Sequence, residues 1–176
     1  MSSGDSGFYG LATLVFELLA DAPEPAWRQV EVEVVPGVSA LQAAAARAGA
    51  PLGHDFCAVS LSDLLTPWPT IERRLVAAAE ADFALALFNP ASERRQQPLA
   101  RALAILRARR PADTPVVVAR NLGRAGERVD LTTLAALDEG AVDMLTLLLV
   151  GSSATRRVGG FAYTPRGYAA RREDSA

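Results

Sequence analysis

The first residues able to do chemistry stand at the start of the chain, in the small-residue run Ser2-Ser3-Gly4-Asp5-Ser6-Gly7. Glycine lets a ligand approach the backbone, and the free N–H groups of a helix start attract a carboxylate or phosphate. Asp5 would repel a phosphate but accept hydrogen bonds from an amine or from ribose hydroxyls, which suits an amino-acid nucleoside. The same position also suits an aspartate that caps the following helix. A second candidate is Pro36-Gly37-Val38-Ser39-Ala40, a turn in which Ser39 is placed as a helix cap. A third is Phe88-Asn89-Pro90. An aromatic ring beside a carboxamide can sandwich and read a purine base, or the pair can simply end a strand in an Asn-Pro turn. Asn121 and Gly151 also fall at strand ends.

His54-Asp55 places the only imidazole of the chain next to a carboxylate. The pair suits acid–base work or a structural turn, since neighbours in sequence seldom face each other usefully. Trp68, between Pro67 and Pro69, either lines a pocket for a flat macrocycle or closes the core. Cys57 is the sole cysteine, so an internal disulfide is impossible and a zinc site of Cys and His ligands is effectively excluded.

These residues need a scaffold, and the pattern supplies one of class α/β. Tyr9 to Leu19 reads as a helix, with Leu11, Val15, Leu18 and Leu19 at helical spacing. Val30, Val32 and Val34 alternate with Glu31 and Glu33 as in a strand, and Ala40 to Ala48 reads as the next helix. A Gly/Pro cluster at Ala50 to Asp55 marks a boundary. Beyond it come a strand from Phe56 to Leu61, a helix from Ile71 to Ala81 and a strand from Phe83 to Phe88. A helix from Leu99 to Arg109 and a strand from Pro115 to Arg120 follow. A short helix is expected at Thr133 to Leu137, and the apolar run Met144 to Val150 reads as a buried strand. The expected division is a partial domain over 1–55, a second α/β domain over 56–170 and a disordered tail over 171–176.

Half of the residues are apolar and the net charge is -2, which gives no reason to expect nucleic acid or a membrane as partner. No apolar run is long enough to span a bilayer and no leader pattern opens the chain, so the cytoplasm is the expected location. All 18 basic residues are arginine. Arg94, Arg95, Arg124 and Arg156 are placed either to meet substrate carboxylates or simply to be solvated.

Taken in order, Ser2-Ser3-Gly4-Asp5, Val34-Val35-Pro36-Gly37-Val38-Ser39-Ala40 and Leu87-Phe88-Asn89-Pro90 resemble the tetrapyrrole methylase superfamily. Longer strings resemble its C17-methylating branch: Gly49-Ala50-Pro51-Leu52-Gly53-His54-Asp55-Phe56-Cys57, Ser60-Leu61-Ser62-Asp63-Leu64-Leu65-Thr66-Pro67-Trp68 and Pro165-Arg166-Gly167-Tyr168. The resemblance implies two α/β domains, the second with a mixed sheet, holding S-adenosylmethionine in the cleft between them. It implies methyl transfer to C17 of precorrin-3B with ring contraction, in corrin (cobalamin) biosynthesis. By the same resemblance Ser3, Gly4, Asp5, Phe8, Ser39, Ala40, Phe88, Asn89 and Gly151 contact the cofactor, and no general base is named. The family has proline where this chain has Ser6, which loosens the first turn. Family members also begin with a further strand and a Gly-Pro-Gly loop, so an amino-terminally truncated enzyme is expected, as a homodimer or with a partner supplying that lobe. The rival readings are a methylase acting at another tetrapyrrole carbon, and a non-catalytic fragment or split subunit.

Overall fold

The computed structural model describes residues 4–91 and 97–168. Ser3, Arg94, Arg95 and the expected tail at 171–176 lie outside the described residues. The chain forms two compact units, Met1–Gln42 and Ala43–Ala176.

In unit 1 the first helix, α1, spans Leu11–Ala20. It begins two residues later than the periodicity predicts because Tyr9 is left-handed, with φ 52°, and Gly10 takes the N-cap position. Asp5 therefore does not cap α1. None of the α1 side chains is buried. A short 3-10 turn at Pro25–Gln29 leads into residues 30–39, which have no regular structure. The strand expected at Val30–Val34 is not formed. Alternation of Val with Glu prepares two faces, but a strand exists only through a neighbour's hydrogen bonds, and unit 1 has no strand among the described residues.

The second helix, α2, covers Ala40–Ala48 as expected. It leads into the short strand β1 (Gly49–Ala50). The main sheet of unit 2 contains β2 (Phe56–Ser60), β3 (Ala84–Phe88), β4 (Pro115–Arg120), β5 (Arg128–Thr133) and β6 (Thr146–Val150). Its order is β2-β3-β6-β4-β5, with β2 parallel to β3 and the other neighbours antiparallel, a mixed sheet. The β2–β3 crossover is α3 (Trp68–Glu80), and α4 (Gln97–Arg107) precedes β4. Ile71 and Leu75 of α3 and Leu99, Leu103 and Leu106 of α4 pack with Leu85, Leu87, Val116, Leu148 and Val150 into one core. Trp68 is part of that core, its Nε1 donating to Glu72 at 2.9 Å and its ring under the Arg101 guanidinium at 4.3 Å. The Pro-flanked tryptophan closes the core.

One expectation in unit 2 gives way. Thr133 to Leu137 is not a helix: Thr133 ends β5 opposite Pro115, and Leu134 and Leu137 turn back into the core. Their spacing mimics a helix, but pairing with β4 takes the preceding residues into the sheet. β7 (Arg156–Val158) and β8 (Phe161–Tyr163) form a hairpin, and β8 pairs in parallel with β1, giving a second sheet in the order β1-β8-β7. No helix among the described residues is long and apolar enough to cross a membrane.

Candidate functional site

In unit 1 the two glycine turns meet through Asp5. Its carboxylate accepts the Gly7 N–H at 2.8 Å through Oδ1 and the Gly37 N–H at 3.0 Å through Oδ2. The bond from Gly37, then that from Gly7, hold this carboxyl below the usual aspartate range. Gly4 is left-handed, with φ 77°. A Cβ on Gly37 would collide with the Gly4 carbonyl, so glycine is required there by the crossing of two backbones. Asp5 thus fixes the loop and still presents carboxylate lone pairs beside it. Phe8 stacks edge-on against Tyr9, ring centres 5.3 Å apart.

Ser39 is buried and forms a reciprocal cap. The Ser39 N–H donates to Gln42 Oε1 at 2.8 Å, and Ser39 Oγ accepts the Gln42 N–H at 3.3 Å. Gly4, Asp5, Phe8, Ser39 and Ala40 all belong to unit 1, where the described contacts join Asp5 to Gly37.

In unit 2 the carboxyl ends of β2 and β3 lie side by side, Ser60 opposite Phe88. Asn89 follows with φ 51° and donates from Nδ2 to Ser60 Oγ at 3.0 Å. Asn121 ends β4 at the same end of the sheet, also left-handed with φ 55°, and its N–H donates to the Leu145 carbonyl at 2.9 Å. Between them enters β6, its first residues held by Asp143, which accepts from Leu145 N–H at 3.0 Å and from Arg120 Nε at 2.8 Å. Leu64, Leu65, Met144 and Leu145, next to these strand ends in sequence, are exposed. Carboxamides with apolar neighbours at the ends of parallel strands suit a ligand with a flat ring. The pairing of Asn89 with Ser60 was missed in the sequence, because only the parallel register brings them together.

Gly151 goes elsewhere. β6 runs antiparallel to β3, with Leu85 opposite Val150, so Gly151 stands at the start of β3, roughly 15 Å along the strand from Asn89. Its carbonyl accepts from Arg110 Nη1 at 2.7 Å. Arg110 is almost wholly buried and also donates to Asp82 at 3.1 Å and to the Phe83 carbonyl at 2.6 Å, so it ties the turn before β3 to the loop after β6. Burial acts to raise the Asp82 carboxyl, but bonds from Ser153 and the Arg110 charge outweigh it and the net shift is downward. Arg156 donates to the carbonyls of Ser153 and Thr155 and is engaged in holding its own loop. Cys57 on β2 is partly buried, and burial pushes its thiol up, away from thiolate reactivity.

His54 and Asp55 do face each other. The Asp55 N–H donates to His54 Nδ1 at 2.8 Å, and Asp55 Oδ2 lies 3.3 Å from the same nitrogen. This is the start of β2, the end of the sheet opposite Asn89. No group of three or more His, Cys, Asp or Glu side chains among the described residues is arranged to hold a metal ion.

A parallel pair within a mixed sheet, a Gly-Asp loop locked onto a Pro-Gly turn and an Asn at the β3 end together define a class. The chain belongs to the Tetrapyrrole (Corrin/Porphyrin) Methylases, whose family model matches residues 1–138. It is 51% identical over 168 residues to the probable cobalt-factor III C(17)-methyltransferase of Salmonella typhimurium. It is 46% identical over 174 residues to the precorrin-3B C(17)-methyltransferase of a Sinorhizobium species. Each match covers 96% of this chain and 68% of the relative. Among solved structures, the methyltransferase CobJ superposes with a TM-score of 0.88 at 43% identity, over 93% of this chain and 68% of that one. The chain thus spans about two-thirds of the length of each of these relatives.

Proposed function

We propose that this chain acts in S-adenosylmethionine-dependent methyl transfer to C17 of precorrin-3B, coupled to ring contraction, in cobalamin biosynthesis. The observation that carries the reading is the match to C(17)-methyltransferases at 51% and 46% identity along 96% of the chain. The strings at residues 49–57, 60–68 and 165–168 support the same ring position.

The residues present fit an amino-acid nucleoside. Asp5 offers an anion to an ammonium or hydroxyl group, and Asn89 offers a carboxamide beside the Phe88 ring. Ser3, Gly4, Asp5, Phe8, Ser39, Ala40, Phe88 and Asn89 are the residues proposed to hold the cofactor. Gly151, at the other end of β3, is left out of that set. S-adenosylmethionine supplies an electrophilic methyl group. The chain's part is then alignment and exclusion of water: Asp5 ties its loop to Gly37, and the exposed apolar residues next in sequence to the strand ends favour a poorly solvated ring. No side chain is assigned as general base. A cytoplasmic homodimer completes the reading.

The test is incubation of the purified chain with S-adenosylmethionine and precorrin-3B or its cobalt-bearing counterpart, followed by mass spectrometry. A product heavier by one methyl group supports the reading, and the better substrate decides between the free and the metallated macrocycle. Transfer to neither, under conditions in which a C(17)-methyltransferase relative turns over, contradicts it.

A further inference from the structure

Two strings that stand far apart in the sequence, 49–57 and 165–168, meet in unit 2, and no residue proposed to hold the cofactor lies in either. A pocket of about 420 Å³ opens at the start of β2 and β3, lined among others by His54, Asp55, Phe56, Phe83 and Arg166. Its volume is in the range of small-molecule sites. Arg166 reaches it because Thr164 anchors the chain just after β8. The Thr164 N–H donates to the Ala50 carbonyl at 3.0 Å, and Thr164 Oγ1 donates to the Pro51 carbonyl at 2.6 Å. The approach is close enough that a Cβ on Gly53 would lie 2.7 Å from the Thr164 carbonyl oxygen. The loop carrying His54 and the segment carrying Arg166 are thereby held against each other.

The lining has a definite chemistry. Phe56 and Phe83 give apolar walls, and Phe56 is 44% exposed. Arg166 makes no hydrogen bond or ion pair among the described residues, whereas Arg47, Arg101, Arg107, Arg110, Arg120 and Arg128 each pair with a carboxylate. His54 Nδ1 is held by the Asp55 N–H at 2.8 Å, and its ring lines the same pocket. The pocket therefore offers a guanidinium fork, an imidazole and a carboxylate.

We propose that this pocket binds a carboxylate attached to an apolar or aromatic body, the carboxylate on Arg166 and the body against Phe56 and Phe83. Asp55 lines the same pocket, so one guanidinium faces the ligand beside one carboxylate. The proposal does not depend on the methyl-transfer reading, and the pocket lies at the opposite end of β2 and β3 from Asn89. The shared chemistry has two sources, a free monocarboxylic acid or one pendant carboxylate of a tetrapyrrole.

The experiment is calorimetric titration of the whole chain with phenylacetate. Saturable binding is expected, weakened at least about tenfold in Arg166→Gln and unchanged in Arg157→Gln, which alters an exposed arginine of β7. Phenylacetamide, lacking the charge, should not bind. Arg166→Gln changes an exposed, unpartnered side chain, and an unaltered thermal midpoint confirms that the variant folds. Equal binding by Arg166→Gln, equal binding of the amide, or no binding of phenylacetate to the folded chain overturns the proposal. Competition then assigns the source. Displacement of a porphyrin octacarboxylate by phenylacetate supports the site as the seat of a macrocycle carboxylate, and simultaneous binding of both supports it as a site for a free acid.

Discussion

In unit 2, Ile71, Leu75, Leu85 and Leu103 expose nothing to solvent; in unit 1, Leu11, Leu14, Phe16 and Leu18 each leave about half their surface in it. Both units have the apolar content for a core, but among the described residues only unit 2 has a sheet for its helices to pack on. Unit 2 is therefore held by packing. Unit 1 is held by a few polar contacts, chiefly the two amides on Asp5 and the cap between Ser39 and Gln42. In this chain, apolar composition stabilises a region only where a paired strand array gives it somewhere to go.

The contrast can be broken by substitution. Leu103→Ala opens a cavity in the unit 2 core and should lower unfolding stability by about 3 kcal/mol in urea denaturation. Leu14→Ala in unit 1 should shift it by less than about 0.5 kcal/mol, and a large loss would show that α1 buries a face in solution. Arg110→Met removes the guanidinium that joins the Asp82 turn to Gly151 and leaves two carbonyls without their donor. It should cost about 2 kcal/mol, read from the same denaturation curve. A neutral result would mean those carbonyls find other donors.

Smaller effects sharpen the picture of unit 1. Ser39→Ala breaks the reciprocal cap and should cost about 1 kcal/mol, seen as faster amide exchange in the first turn of α2. The contribution of Asp5 depends on pH. Its folded pKa is lowered, so the ion binds the amides fully above the ordinary aspartate value and releases them as pH falls through the folded value. Amide exchange at Gly37 should lose protection on acidification, and Asp5→Asn should flatten that dependence.

Most of unit 2 was legible from periodicity. The strands at Phe56, Phe83, Pro115 and Met144 and both helices between them lie within a few residues of their expected places. Ser39 was legible as a cap because its role is local. Val30 to Val34 was misread because alternation reports faces and not partners. The hairpin of β7 and β8 was missed because strands of three residues are too short for a period to show. The candidate sites were legible only as residue types. That Asn89 meets Ser60, that Gly151 sits at the far end of β3, and that Arg166 lines one pocket with His54 all follow from register between distant segments.

Whether this chain holds the cofactor of a tetrapyrrole methylase is decided by calorimetric titration with S-adenosylhomocysteine, the product form of that cofactor. Micromolar binding is expected, weakened at least about tenfold in Asp5→Ala, which loses both the anion and the loop contact with Gly37. No heat from a folded, monodisperse sample would contradict it.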